Sequence, residues 1–300
     1  MKLSKYVIID THNIDKTILL AGSGRSGTTW VENLINYDNS KRIIFEPFDT
    51  TKNRLISHWP PKLFLDVDEN RPEYVEPLTR ILSGQLRSMW TDQFNKKVWS
   101  SSRLIKAIRA NSLLPWIHSL YPDLPIVFLM RHPCAVTHSR IKMGWGTDNS
   151  QFLKQEKLAH GILKPFTDIL LGNHDNFENH ILHWCVENYI PLKLMSKSSM
   201  HVIFYEDLVQ QKHQVICDLF EAVGQECPPH DKLGLSKPSA LSREESAILK
   251  GGDLLESWKA HISQSQIDSA VAMLTQFGLQ KIYSNTSLPL IPATEVLTLL

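Results

Sequence analysis

The stretch Thr17-Ile-Leu-Leu-Ala-Gly-Ser-Gly-Arg-Ser-Gly-Thr-Thr-Trp30 limits the possible folds of this chain more than any other. Ile18, Leu19, Leu20 and Ala21 read as a short buried strand. Gly22, Gly24 and Gly27 punctuate a loop, and Thr28, Thr29, Trp30 and Val31 open a helical pattern. A strand, a glycine loop and a helix N-terminus in that order form an anion cradle. Glycines let successive backbone N–H groups turn inward, and the helix dipole adds partial positive charge. The spacing Gly22-x-x-x-x-Gly27-Thr28-Thr29 is that of a phosphate-binding P-loop, with one departure. Nucleoside triphosphate loops carry Lys directly after the last Gly. Thr28 holds that position here, and the nearby cation is Arg25, inside the loop. The arrangement suits a 5′-phosphate bearing one further anionic group better than a triphosphate.

A second motif supports the first. Ile126-Val-Phe-Leu-Met130 reads as another buried strand, and Arg131 leaves its C-terminal end. Pro133 suits the first turn of a helix, and Ser139 follows two turns later. An Arg at a strand end and a Ser on the next helix converge on one phosphate, the guanidinium forking onto two oxygens and the hydroxyl taking a third. Two phosphate sites on one nucleotide follow from the pair of motifs.

With these residues the chain resembles the sulfotransferases that use 3′-phosphoadenosine 5′-phosphosulfate (PAPS). Gly24-Arg-Ser-Gly-Thr-Thr-Trp30 is similar to their 5′-phosphosulfate loop, where cytosolic members carry Lys in place of Arg25, and Arg131…Ser139 is similar to their 3′-phosphate motif. Leu104-Ile-Lys-Ala-Ile-Arg109, Leu113-Leu114-Pro115 and Arg131 to Arg140 most resemble the carbohydrate sulfotransferase branch. The resemblance implies PAPS as co-substrate and 3′,5′-diphosphoadenosine as product. It implies cofactor contacts from Ser23, Gly24, Arg25, Ser26, Gly27, Thr28, Thr29, Arg131 and Ser139, and from Tyr205, whose Tyr-Glu-Asp-Leu208 turn matches one common in the family.

Sulfuryl transfer to a hydroxyl needs a base. Ile43 to Phe45 read as a second parallel strand stopped by Pro47, which places Glu46 at a strand C-terminal end, the edge where open α/β sheets hold ligands. A carboxylate there can take the hydroxyl proton, and the resemblance implies the same role, since several carbohydrate members have a Glu at the corresponding place. Cytosolic members carry a Lys-Thr-His triplet in the strand that here reads Lys106-Ala107-Ile108. Its His is absent, so Glu46 is the expected base, with Lys106 and Arg25 stabilising the transferring group. The alternatives are a P-loop kinase-like phosphotransferase, disfavoured by Thr28, and a non-catalytic nucleotide-binding protein of the same fold.

The remaining sequence sets the frame. Three hundred residues, 42% hydrophobic and 21% charged, suit one α/β domain with a sizeable core. The expected architecture is an open parallel sheet of four to five strands with helices on both faces. Residues 49–100 read as an acceptor-binding insertion, with helical spacing from Val75 to Trp90 and with Trp59, Trp90 and Trp99 available for stacking; 284–300 read as a loosely held tail. Met143-Gly-Trp-Gly146 reads as a loop lining the acceptor cleft, and Lys250-Gly251-Gly252 weakly resembles the family's basic closing loop. A formal net charge of +1 gives no reason to expect nucleic acid as partner. The sequence shows no signal-peptide h-region and no apolar run of transmembrane length, so a cytoplasmic enzyme acting on a hydroxyl-bearing small molecule or glycan is expected. The four cysteines are scattered without C-x-x-C spacing, which predicts neither zinc nor a disulfide framework. His180 and His183 share a helical face but lack completing ligands, so no metal is expected.

Overall fold

The computed structural model describes residues 8–233 and 253–300 and has seven short strands there, and alternation along the five of the main sheet builds two cores. The strands are β1 Ile9–Asp10, β2 Thr17–Gly22, β3 Arg42–Phe45, β4 Trp99–Ser100, β5 Arg103–Ala107, β6 Ile126–Met130 and β7 His201–Phe204; β1 and β4 form a separate two-residue parallel ladder. The main sheet is parallel throughout, in the order β3-β5-β2-β6-β7. The helices are α1 Thr28–Ile35, α2 Pro72–Leu82, α3 Leu114–Leu120, α4 Pro133–Lys142, α5 Ser150–Leu153, α6 Glu156–His160, α7 Thr167–Leu171, α8 Asn176–Leu194, α9 Tyr205–Val209, α10 His213–Ala222 and α11 Gln264–Gln276.

Successive strand residues point to opposite faces. Leu19, Ala21, Ile44, Ile105, Phe128 and Phe204 join the core under α2, α3, α4, α8 and α11. Ile18, Leu20, Phe45, Leu104, Val127 and Ile203 join the core under α1, α9 and α10. Both faces of the sheet are therefore covered, as parallel sheets require. The helix after β2 lies on one face, whereas those after the neighbouring β5 and β6 lie on the other. Adjacent strands whose connections depart to opposite faces leave a crevice at their carboxyl ends. The glycine loop, Arg131 and the end of β5 surround that crevice.

At the opposite end of the sheet, two fully buried arginines are structural. Arg42 pairs with Asp92 at 2.8 Å and with Asp10 at 3.0 Å, and Arg103 also grips Asp10. Burial raises the Asp10 carboxyl, but Arg103 and Arg42 outweigh it and hold the group below the usual range. This knot also stops α2. The helical spacing from Val75 to Trp90 predicts a longer helix, yet α2 ends at Leu82. Gly84 follows in the left-handed region with φ 72°, and a Cβ there would lie 2.5 Å from Asp10 Oδ2 and 2.6 Å from Arg103 Nε. The chain turns there because its carbonyls are needed by the arginines: Gly84 O and Leu86 O accept from Arg42.

Three further sequence expectations differ from the structure or lie beyond it. Cys217 and Cys227 are joined as a disulfide, while Cys134 and Cys185 are free and buried. Residues 284–300, expected to be loosely held, end in a 3-10 turn over Ala293–Thr298 whose Val296 is fully buried. Residues 1–7, Ser236–Ser239 and Lys250-Gly251-Gly252 lie outside the described residues. No helix among the described residues is long and apolar enough to cross a membrane.

Candidate active site

The glycine loop is shaped by close approaches. Gly22 has φ 149°, and a Cβ there would lie 2.5 Å from Leu129 O, so β2 and β6 can converge at their carboxyl ends only with glycine. Gly27, the N-cap of α1, has φ 99°, and its Cβ would meet the Tyr205 ring at 2.6 Å. Two loop carbonyls turn outward onto arginines: Arg140 Nε donates to Gly24 O at 3.1 Å, and Arg131 Nη1 to Arg25 O at 3.2 Å. The amides of Thr28 and Thr29 open α1 and have no intrahelical acceptor, so they point to the crevice with the helix dipole behind them. Ser23 Oγ accepts from Asn188 Nδ2 at 3.1 Å, while the buried Ser26 Oγ has no partner.

The two motifs meet. Arg25 Nε donates to Ser139 Oγ at 2.9 Å. The Arg131 guanidinium lies 4.1 Å from the centre of the Tyr205 ring, which also contacts Trp30 edge-on at 5.7 Å. Loop, strand-end arginine, helix serine and aromatic ring thus form one patch. Arg131 leads into His132, whose amide donates to Glu206 at 2.9 Å, and Tyr283 donates to the other oxygen of Glu206 at 2.9 Å. His132 also stacks on Trp258 at 4.5 Å. Burial lowers the His132 imidazole to about 4 and pushes the Glu206 carboxyl up to about 7. The C-terminal segment therefore braces the patch from behind through hydrogen bonds and ring stacking.

Glu46 does sit at a strand end, buried to 2% exposure and with φ 45°. Its Oε2 accepts from the Ile108 amide at 3.1 Å and faces Arg109 Nη1 at 3.3 Å. Its Oε1 lies 3.3 Å from Lys106 Nζ but accepts no hydrogen bond. Lys106 shares a sheet face with Leu104, and its ammonium sits between the Phe45 ring, 4.4 Å from the centre, and Glu46. Ile108 bridges this pair to the loop, since its Cδ1 would be 3.1 Å from a Cβ on Gly24. Arg25 and Glu46 both hold left-handed backbone without being glycine, a strain of order ~1–2 kcal/mol each that surrounding structure must sustain.

Several site residues escaped the sequence patterns. Glu32 on α1 is buried near Lys106 and Glu46; burial pushes its carboxyl up to about 7 against the pull of Lys106. A charged residue next to the apolar Val31, Leu34 and Ile35 was the available signal. Glu187, at the centre of the buried helix α8, binds Lys62, Arg140 at 2.7 Å and His183 at 3.3 Å. Burial alone would raise Glu187, yet Arg140 and Lys62 hold its carboxyl well below the usual range. Burial keeps His183 neutral, lowering it to about 4. Next to Gly24 this cluster lines a cleft of about 180 Å³ together with Ile108, Arg109, Trp145 and His180. The expected cleft loop Met143–Gly146 supplies Trp145, 36% exposed. Trp59 is buried in the core instead, Trp90 packs on Phe45 at 5.2 Å, and Trp99 stands on the β1–β4 ladder.

Residues 17–229 match the model of a family described as Sulfotransferase family. No curated protein matches the chain in sequence. Among solved structures the chain is similar to the sulfotransferase domain from the curacin biosynthetic pathway, at 16% identity over 86% of this chain and 96% of that one, with a TM-score of 0.46. It is also similar to the sulfotransferase STF9 from Mycobacterium avium, at 12% identity over 92% and 79%, TM-score 0.47. A third similar structure is retinol dehydratase in complex with androsterone and the inactive cofactor PAP, at 13% identity over 88% and 80%, TM-score 0.43.

Proposed function

The chain belongs to the sulfotransferase family, and we propose that it moves the sulfuryl group of PAPS to a hydroxyl of a carbohydrate or other small alcohol. The observation that carries this reading is the junction of the glycine loop with the Arg131…Ser139 motif through the Arg25–Ser139 hydrogen bond. Two anion-binding groups side by side match a nucleotide phosphorylated at both its 5′ and 3′ positions. The residues fit that ligand chemically. The buried Ser26 hydroxyl is unpartnered, Gly27 lets the Tyr205 ring close onto the loop, and the cations are arginines able to fork onto phosphate oxygens.

Bound PAPS would supply the sulfuryl group on a 5′-phosphate leaving group. Arg25 and the Thr28 and Thr29 amides would hold the 5′ end and absorb its growing negative charge. Arg131 and Ser139 would hold the 3′-phosphate, whose binding energy positions the reacting end. Tyr205, already stacked on Arg131, would pack against the base. Glu46 Oε1, free of hydrogen bonds, would take the proton of the acceptor hydroxyl, and Lys106 would steady the carboxylate and the transferring group. The cleft beside Gly24 would admit the acceptor, where the half-exposed Trp145 ring offers a stacking surface for a sugar.

Calorimetric titration with 3′,5′-diphosphoadenosine and with Mg²⁺-ADP tests the reading. The expected result is metal-independent preference for the 3′-phosphorylated nucleotide, weakened about 10- to 100-fold in Arg131→Ala, the loss of a charged hydrogen bond. Equal or tighter binding of Mg²⁺-ADP would return the loop to phosphoryl chemistry.

A further inference from the structure

On the outer side of α10, away from the nucleotide patch, three ligand-type side chains come together. His213 and Cys217 are one helical turn apart and so share a face; Cys217 Sγ lies 3.6 Å from His213 Nδ1 and 3.8 Å from Nε2. Past the helix the chain reverses at Gly224, with φ 68°, and the Gln225 amide donates back to Phe220 O at 2.8 Å. That reversal returns Cys227 to the helix, with 4.9 Å between the Cα atoms of the two cysteines. The imidazole nitrogen and the two sulfurs all lie within 4.8 Å of one another. The helix buries Ile216, Leu219 and Phe220 on its other side, so His213 remains exposed and the sulfurs half-buried.

We propose that His213, Cys217 and Cys227 form a metal site for one zinc-class divalent ion when the cysteines are thiols, and that the disulfide is its closed, metal-free state. One imidazole and two thiolates suit a borderline-soft ion, and three protein ligands leave a fourth position to solvent. Conversion between the states balances with a dithiol reductant: it passes two electrons and two protons to the S–S bond, which breaks into two thiols, and the reductant becomes a disulfide. Binding of the ion then displaces both thiol protons to solvent. Cys134 and Cys185 do not compete, because both are buried and burial pushes the Cys134 thiol up to about 12.

The test uses the full chain, reduced anaerobically with a phosphine that is then removed, and titrated with Co²⁺. One ion per chain is expected, with thiolate-to-cobalt charge-transfer absorption and tetrahedral d–d bands that Zn²⁺ abolishes. The bands should be absent from the unreduced protein and from Cys217→Ser. His213→Ala, an exposed substitution that leaves the core untouched, should weaken cobalt binding more than about tenfold. Far-UV circular dichroism checks that each variant is folded. A disulfide that resists reduction in the folded chain, absent bands after reduction, or bands indifferent to His213→Ala would each overturn the proposal. The readout involves no sulfuryl transfer, so it stands or falls apart from the proposed activity.

Discussion

Arg25 Nε and Ser139 Oγ are joined by a 2.9 Å hydrogen bond that spans 114 residues of sequence. The bond ties the loop between β2 and α1 to the second half of α4, so each segment orients a side chain of the other. Ser139→Ala should weaken 3′,5′-diphosphoadenosine binding about 3- to 10-fold, the worth of one hydrogen bond. Calorimetry on the variant checks it. An unchanged affinity would mean that the hydroxyl contacts neither Arg25 nor the nucleotide in solution.

Glu46 is held by the Ile108 amide, Lys106 and Arg109, with Oε1 left without a hydrogen bond. Glu46→Gln keeps the shape and removes the basicity. Turnover with a productive acceptor should fall about 10²- to 10⁴-fold, while nucleotide affinity stays within a factor of about two. Steady-state kinetics alongside calorimetry separate the two quantities. Undiminished turnover would pass the base role to another group, Lys106 first.

Glu187 neutralises Lys62 and Arg140 in the wall of the cleft. Glu187→Ala strands the buried Arg140 and the half-buried Lys62 and should cost about 3–5 kcal/mol of stability, as removal of one partner from a buried ion pair does. Urea denaturation measures this. Arg140 also holds Gly24 O, so the same variant should loosen nucleotide binding even where it remains folded.

Glu206 carries a pH signature. Its folded carboxyl is raised to about 7 by burial, above the ordinary 4.5 of a glutamate, so the folded chain binds more protons between those limits. That contribution to stability is complete below pH 4.5, falls as pH rises to 7, and is level above. His132, lowered to about 4 by burial, acts oppositely: stability drops as pH falls from 6.5 towards 4. Glu206→Gln removes only the first effect. Its stability relative to the unsubstituted chain should therefore rise by about 3 kcal/mol between pH 4.5 and 7, as read from denaturation curves at several pH values.

What the sequence by itself determined was local and periodic. The run 17–31 encodes strand, glycine loop and helix, and 126–140 encodes strand, arginine and helix, because each is written in residues close along the chain. Continuous apolar runs such as Ile18–Ala21 and Ile126–Met130 then suit a parallel sheet covered on both faces. Glu46 was legible for the same reason, standing between a β-strand and a proline.

Tertiary structure alone decided the rest. The Lys62–Glu187 pair spans 125 residues and the Asn188–Ser23 contact 165, and no periodicity links them. The end of α2 at Leu82 depends on two arginines from β3 and β5 that claim the carbonyls of Leu82 and Gly84. Scattered cysteines became a pair because a glycine reversal folded Cys227 back onto α10. Buried polar groups must find partners wherever the fold places them, and the chain's linear order carries no record of which partners those are.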